Sequence, residues 1–149
     1  MKIAFAASAG GHLTQIQTIF TKDVIGGNEH IVLTEKNSKT KNLPGKNYFF
    51  KPLVYNPIDY FLAVIKYVRI FQKEKVGLVI TTGAEIGIPA MIAGKLLGIK
   101  TVFIDTIIRV KTPTLTGKIC YPFSDIFLVQ NKGMEKCYGR RAKYVGGII

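Results

Sequence analysis

The sequence predicts an α/β fold: a Rossmann-like parallel sheet with helices on both faces, forming a single domain over residues 1–149. Three observations predict it. Short apolar runs recur along the chain, helical patterns alternate with them, and two of the runs lead directly into glycine-bearing loops. Strands that are apolar throughout are buried on both faces, which is the condition of parallel strands joined by right-handed crossovers. At 149 residues and 48% apolar composition the chain can bury one core and is short for two.

The first run, Lys2 to Ala7, meets the loop Ser8 to His12, and Leu13, Ile16, Gln17 and Phe20 then follow helical spacing. His30 to Glu35 and Tyr48 to Pro52 read as the second and third strands. Between them the segment Lys36 to Asn47 carries Lys36, Lys39, Lys41 and Lys46 and no acid. Pro57 suits a first helical position and opens a long helix to about Lys75. Leu78 to Thr82 is the next strand, followed by Gly83-Ala84-Glu85-Ile86-Gly87 and a helix from about Pro89 to Leu97 that Gly98 stops. Thr101 to Asp105 is a further strand. A polar stretch with Arg109 and Lys111 leads to Thr112-Pro113, read as the cap and first turn of a helix reaching about Tyr121. Ile126 to Gln130 and Ala142 to Val145 close the series.

The 21 Lys and Arg outnumber nine Asp and Glu, for a net charge of +12, so phosphates, nucleic acid or anionic headgroups are the expected partners. A nucleic-acid module is disfavoured because the aromatics follow core and helix periodicity and form no stacking motif. Met1 to Ala7 has no basic n-region or cleavage signature, so a secretory signal is not expected. Cys120 and Cys137 match no zinc or redox spacing and read as reduced structural thiols. No metal site or cofactor is expected. Lys66, Arg69 and Lys95 interrupt the most apolar stretches short of the roughly 18 residues a membrane span needs, which leaves peripheral membrane contact.

In doubly wound sheets ligands bind at the carboxyl ends of the strands. Three loops have that position. In the first, Ser8, Gly10 and Gly11 let the backbone approach a phosphate at a helix N-terminus, or simply make the tight turn. His12 begins that helix and is the candidate general base, its alternative being a hydrogen bond to phosphate or a loop cap. In the second, Gly83 precedes Glu85, which can bind sugar hydroxyls or assist the base, or act as an acid stabilised by the helix dipole. In the third, Asp105, Arg109 and Lys111 suit a diphosphate, salt bridges to a partner, or a solvated loop.

The long helix carries two apolar stripes. Ile58, Phe61, Leu62, Ile65 and Val68 read as the core face; Tyr60, Val64, Tyr67 and Phe71 are surplus and lie beside the basic Lys66, Arg69 and Lys73. An anionic membrane surface or a neighbouring subunit would accept that second stripe, with Tyr60, Tyr67, Phe71, Lys66, Arg69 and Lys73 as the contacts.

Ser8-Ala9-Gly10-Gly11-His12, Gly83 through Pro89, Phe103-Ile104-Asp105-Thr106, Arg109-Val110-Lys111, Gly117-Lys118, Tyr121-Pro122, Asp125 and Phe127 through Gln130 also carry a resemblance over essentially the whole chain. The sequence resembles the small bacterial polysaccharide-biosynthesis subunits, of exopolysaccharide and capsule pathways, related to the membrane-recruiting subunit of the eukaryotic enzyme that adds the second N-acetylglucosamine to dolichol-diphosphate. The resemblance implies the N-terminal, acceptor-side half of a split GT-B glycosyltransferase, peripheral on the cytoplasmic face of the cell membrane. With a donor-binding partner it would transfer a hexose from a UDP-sugar to a polyprenyl-diphosphate-linked sugar. The fused relatives include the enzyme completing the peptidoglycan lipid precursor, whose glycine loop ending in His corresponds to Gly10, Gly11 and His12. Two rivals stay open: a dinucleotide-binding domain with Glu35 on the ribose, although the third glycine of the fingerprint is missing, and a non-catalytic scaffold that activates a complete transferase.

Overall fold

The computed structural model describes residues 1–37, 40, 43, 45–53 and 56–147, and of residues 22 and 23 the backbone alone. Lys39 and Lys41 of the acid-free segment lie outside the described residues. In chain order the elements are β1 (Lys2–Ala6), α1 (Gly11–Ile19), α2 (Lys22–Ile25), β2 (His30–Glu35), β3 (Lys46–Phe50), α3 (Pro57–Glu74), β4 (Val76–Thr81), α4 (Gly87–Leu96), β5 (Lys100–Ile104), α5 (Leu115–Cys120), a 3-10 turn (Tyr121–Phe123), β6 (Ile126–Val129), α6 (Met134–Tyr138) and β7 (Ala142–Tyr144). The strands form one sheet in the order β3-β2-β1-β4-β5-β6-β7, and every pairing is parallel. This is the Rossmann-like arrangement of the GT-B N-terminal-domain type. Chain order reverses at β1, so the crevice of the fold opens between β1 and β4.

Strand alternation divides the apolar residues between two cores. Ala4 and Ala6 of β1 join Tyr67, Phe71, Ala90, Met91 and Cys120 beneath α3, α4 and α5. Ile3 and Phe5, pointing the other way, pack with Leu13 and Ile16 of α1 and with Val32, Ile80 and Ile104. Helices therefore cover both faces. At the amino ends, Glu74 accepts from Tyr48 and pairs with Lys46 and Lys2, and Lys46 first, then Tyr48, holds its carboxyl down at about 2.

Helix α3 starts where Asn56 accepts a hydrogen bond from the Ile58 amide at 3.0 Å with Pro57 in the first position, and ends at Lys75, φ 54°. Its stripes are the reverse of the expectation. Tyr67 and Phe71, expected at a membrane surface, are 0% and 1% exposed, whereas Ile58, Phe61 and Leu62 are 67%, 65% and 57% exposed. Tyr60 is half-buried; Lys66, Arg69 and Lys73 are exposed. The reason is what the sheet and α4 offer: Tyr67 stacks on Phe50 of β3 at 4.4 Å between centroids, edges against Phe71 at 5.7 Å, and donates its hydroxyl to the Ile86 carbonyl at 3.1 Å. Both stripes have helical spacing, and only one has these partners. Lys66 leans back over the Phe50 ring at 4.3 Å.

Two short helices, α2 and α6, have no counterpart in the sequence reading, and α5 begins later than read. Pro113 biases Thr112 toward extended backbone, and the cap passes to Thr114, whose Oγ1 accepts from the Gly117 amide at 2.9 Å. Among the described residues no helix is long and apolar enough to cross a membrane.

Tyr67 matters to the crevice because Ile86, whose carbonyl it holds, caps α4 just beyond the Gly83 loop. Tyr67→Phe removes the buried hydroxyl's bond to that carbonyl, and denaturant titration should show a loss of about 0.5–1.5 kcal/mol; an unchanged midpoint would mean the hydroxyl contributes nothing.

Candidate functional site

The loops after β1, β4 and β5 meet at one point. His12, the second residue of α1, turns Nδ1 onto the Thr82 carbonyl at 2.8 Å, while the Thr82 hydroxyl donates to the His12 carbonyl at 3.0 Å. A carbonyl can only accept, so Nδ1 carries the hydrogen, and in the neutral ring Nε2 is left as a hydrogen-bond acceptor. Burial lowers the His12 pKa below its ordinary 6.5, opposed by the Thr82 carbonyl bond, so the ring is neutral at pH 7.

Backbone geometry makes room for that ring. Gly83 has φ 107°, and a Cβ built on it would lie 3.4 Å from His12 Cε1. Ala84 follows at φ 64°, a left-handed conformation in a non-glycine residue. On the α1 side, Gly10 at φ 139° occupies the cap position with no side-chain cap, so the first amides of a nine-residue helix face the loop without a side-chain acceptor.

His12 borders two adjoining cavities. One, of about 450 Å³, runs along α1 past Gly11, Thr14, Gln15 and Thr18 to Ile107 and Ile108. Thr14 and Thr18 return their hydroxyls to the carbonyls of Gly10 and Thr14 at 3.1 and 2.9 Å. Gln15 is 6% exposed, and among the described residues its Nε2 has no hydrogen-bond partner. The second cavity, of about 300 Å³, is lined by His12, Thr82, Gly83, Asp105, Thr106, Arg109 and Thr114 among others.

Asp105 is set rigidly: its amide donates to the Leu128 carbonyl at 2.8 Å and its carbonyl accepts from Gln130 Nε2 at 2.8 Å. Burial raises its carboxyl above the usual range, against the Thr106 amide, the Tyr138 hydroxyl and the Arg109 charge, which pull it down. Asn131 ties down the loop that follows, donating to the carbonyls of Ile107 and Arg109 at 2.7 and 2.8 Å. Tyr138, its own pKa pushed up to about 12 chiefly by burial, receives the Thr114 amide at 3.1 Å.

The structure brings together His12, Gly83 and Arg109 in one cavity and Gly11 with His12 in the other. Ser8 and Gly10 form the turn behind them, half-buried. Glu85 and Lys111 are not among the lining residues of either cavity. Glu85 precedes α4, its carbonyl accepting from the Ile88 amide at 3.2 Å, and the acid that reaches the His12 cavity is Asp105. Thr82 and Gln15 escaped the sequence reading because a threonine ending a strand and a glutamine in an amphipathic helix carry no motif. Among the described residues no three His, Cys, Asp or Glu side chains converge as metal ligands.

Gly83→Ala puts a Cβ at a left-handed φ and against the imidazole. Stability should fall on the order of 1–2 kcal/mol, and the His12 ring signals in NMR should move; unmoved signals would show that the ring does not depend on Gly83.

A family model described as "Oligosaccharide biosynthesis protein Alg14 like" matches residues 50–148. The UDP-N-acetylglucosamine transferase subunit ALG14 of Homo sapiens is 30% identical over 86 residues, 54% of this chain and 39% of the human protein. Its Schizosaccharomyces pombe namesake is 44% identical over 54 residues, 35% of this chain and 25% of that one. The crystal structure of MurG from Acinetobacter baumannii superposes with a TM-score of 0.80 at 15% identity, over 98% of this chain and 45% of that chain. A UDP-N-acetylglucosamine 2-epimerase from Rickettsia bellii gives a TM-score of 0.77 at 12% identity, over 99% and 45%. These two likenesses establish the fold, and this chain spans less than half the length of each of these four proteins. With the match over residues 50–148 the chain belongs to the Alg14-like family of oligosaccharide-biosynthesis proteins.

Proposed function

We propose that residues 1–149 act as one acceptor-side half domain of a two-component glycosyltransferase. With a donor-binding partner subunit it transfers a hexose from a UDP-sugar to a sugar on a polyprenyl diphosphate, with inversion, and the product feeds polysaccharide assembly, exopolysaccharide or capsule. The observation that carries the reading is the neutral, oriented imidazole of His12 at the crevice where this fold takes its ligands. The family membership supports the reaction class. The region that superposes corresponds to 45% of the MurG chain.

In this mechanism His12 Nε2 takes the proton of the acceptor hydroxyl as that oxygen bonds to the anomeric carbon. The bond from that carbon to the UDP oxygen breaks, and its electron pair leaves on the diphosphate. The Thr82 carbonyl favours the imidazolium as it forms, because it accepts the Nδ1 hydrogen. The lipid diphosphate sits against the amides at the start of α1, with Ser8, Gly10, Gly11 and Gly83 keeping the backbone close and Arg109 and Lys111 supplying charge.

The same reading puts the protein on the cytoplasmic face of the membrane as a peripheral subunit that recruits its partner there. The contact is the exposed stripe Ile58, Phe61, Leu62 and Ile65 of α3 beside Arg69 and Lys73. Because α3 follows β3 in a parallel crossover, its first turns lie at the carboxyl edge of the sheet, the edge that carries His12.

His12→Ala in the reconstituted pair should lower turnover by about 10²–10⁴-fold with assembly intact, and the wild-type rate should fall only below about pH 6.5, the ordinary histidine value that burial depresses. Wild-type rates in the variant would remove His12 from the mechanism. Phe61→Asp should weaken binding to phosphatidylglycerol vesicles about tenfold or more, and equal binding would move the membrane contact elsewhere.

A further inference from the structure

Asp105 is a buried carboxylate that the base step does not use. It is 1% exposed, and among the described residues its Oδ2 has no hydrogen-bond partner. Leaving such an oxygen unpaired costs stability in the folded chain, and the bonds to Leu128 and Gln130 hold the main chain of the residue in place.

The chemistry of the cavity limits what can meet that oxygen. Asp105 and His12 line it together, and each carries an acceptor, a carboxylate oxygen and the ring nitrogen left as an acceptor by the bond of Nδ1 to Thr82. Arg109 is the one cation in the lining among the described residues, and it is exposed. A phosphate deep in this cavity would face a carboxylate; a hydroxyl-bearing ligand would satisfy both acceptors. The charge order is anion outside at Arg109, hydroxyl donors inside.

We propose that Asp105 accepts a hydrogen bond from a second hydroxyl of the acceptor sugar, neighbouring the one that His12 deprotonates, and so selects and orients the sugar while the lipid diphosphate stays at the mouth by Arg109. This rests on the acceptor-side reading given above and assigns the group of the substrate that the cavity recognises.

The test uses the complex reconstituted with its donor-binding partner, the lipid-linked acceptor that it turns over, and mono-deoxy analogues of that acceptor. Wild type should lose about 10–100-fold in kcat/KM on one analogue, the range for a hydrogen bond to a charged group. Asp105→Ala should show the same loss on the parent acceptor and no further loss on that analogue. Should alanine at 105 prevent folding, Asp105→Asn, which keeps the shape and replaces one acceptor oxygen with a donor, must show the same selectivity. A variant that turns over every acceptor like wild type, or loses equally on all of them, overturns the assignment of Asp105 alone. No turnover of any lipid-linked sugar by the wild-type pair overturns the transferase reading beneath it.

Discussion

The paired hydrogen bonds between His12 and Thr82 join the two halves of the sheet at the point where strand order reverses. Each bond is worth about 1 kcal/mol by ordinary accounting, yet together they fix three things at once: the tautomer of the ring, its orientation, and the distance between the loops after β1 and β4. The rest of the crevice is arranged around that constraint. Gly83 lacks a Cβ where the ring lies, Ala84 holds a left-handed turn beside it, and Ile86 is secured from behind by Tyr67. A site assembled from strand ends in this way has its precision supplied by the sheet, since β1 and β4 are in parallel register up to Ala6 and Thr81.

Much of the fold was legible because parallel strands leave a plain mark. Apolar runs such as Ile31 to Leu33 and Phe103 to Ile104 are buried on both sides and show no polar alternation. What the sequence could not give was the choice between two equally periodic stripes on α3. Periodicity fixes that a helix has a buried face; which face depends on Phe50 and on the Ile86 carbonyl, which come from elements distant in sequence. The short helices α2 and α6, of four and five residues, are too brief for periodicity to mark.

The site was legible as a set of loops and less so as a set of roles. Glycines at strand ends marked where a ligand can approach, and His12 stood out as a group that titrates near neutrality. Which acid joins it was not readable, because Glu85 and Asp105 both end strand-and-loop segments and only three-dimensional placement separates them. Asp105 also carries an energetic signature that no sequence displays, a buried oxygen without a partner among the described residues, whereas Glu74 and Asp125 are paired with lysines. Stability given up at one carboxylate is the pattern expected where a ligand completes the structure.

Under the proposed function this chain is one half of a catalytic unit. Transfer of labelled sugar from a UDP-sugar to a polyprenyl-diphosphate-linked acceptor, measured with this chain alone, with the proposed donor-binding partner alone, and with the two mixed, tests it most directly. Product is expected from the mixture only. Full turnover by the partner alone would contradict it and make this chain a scaffold.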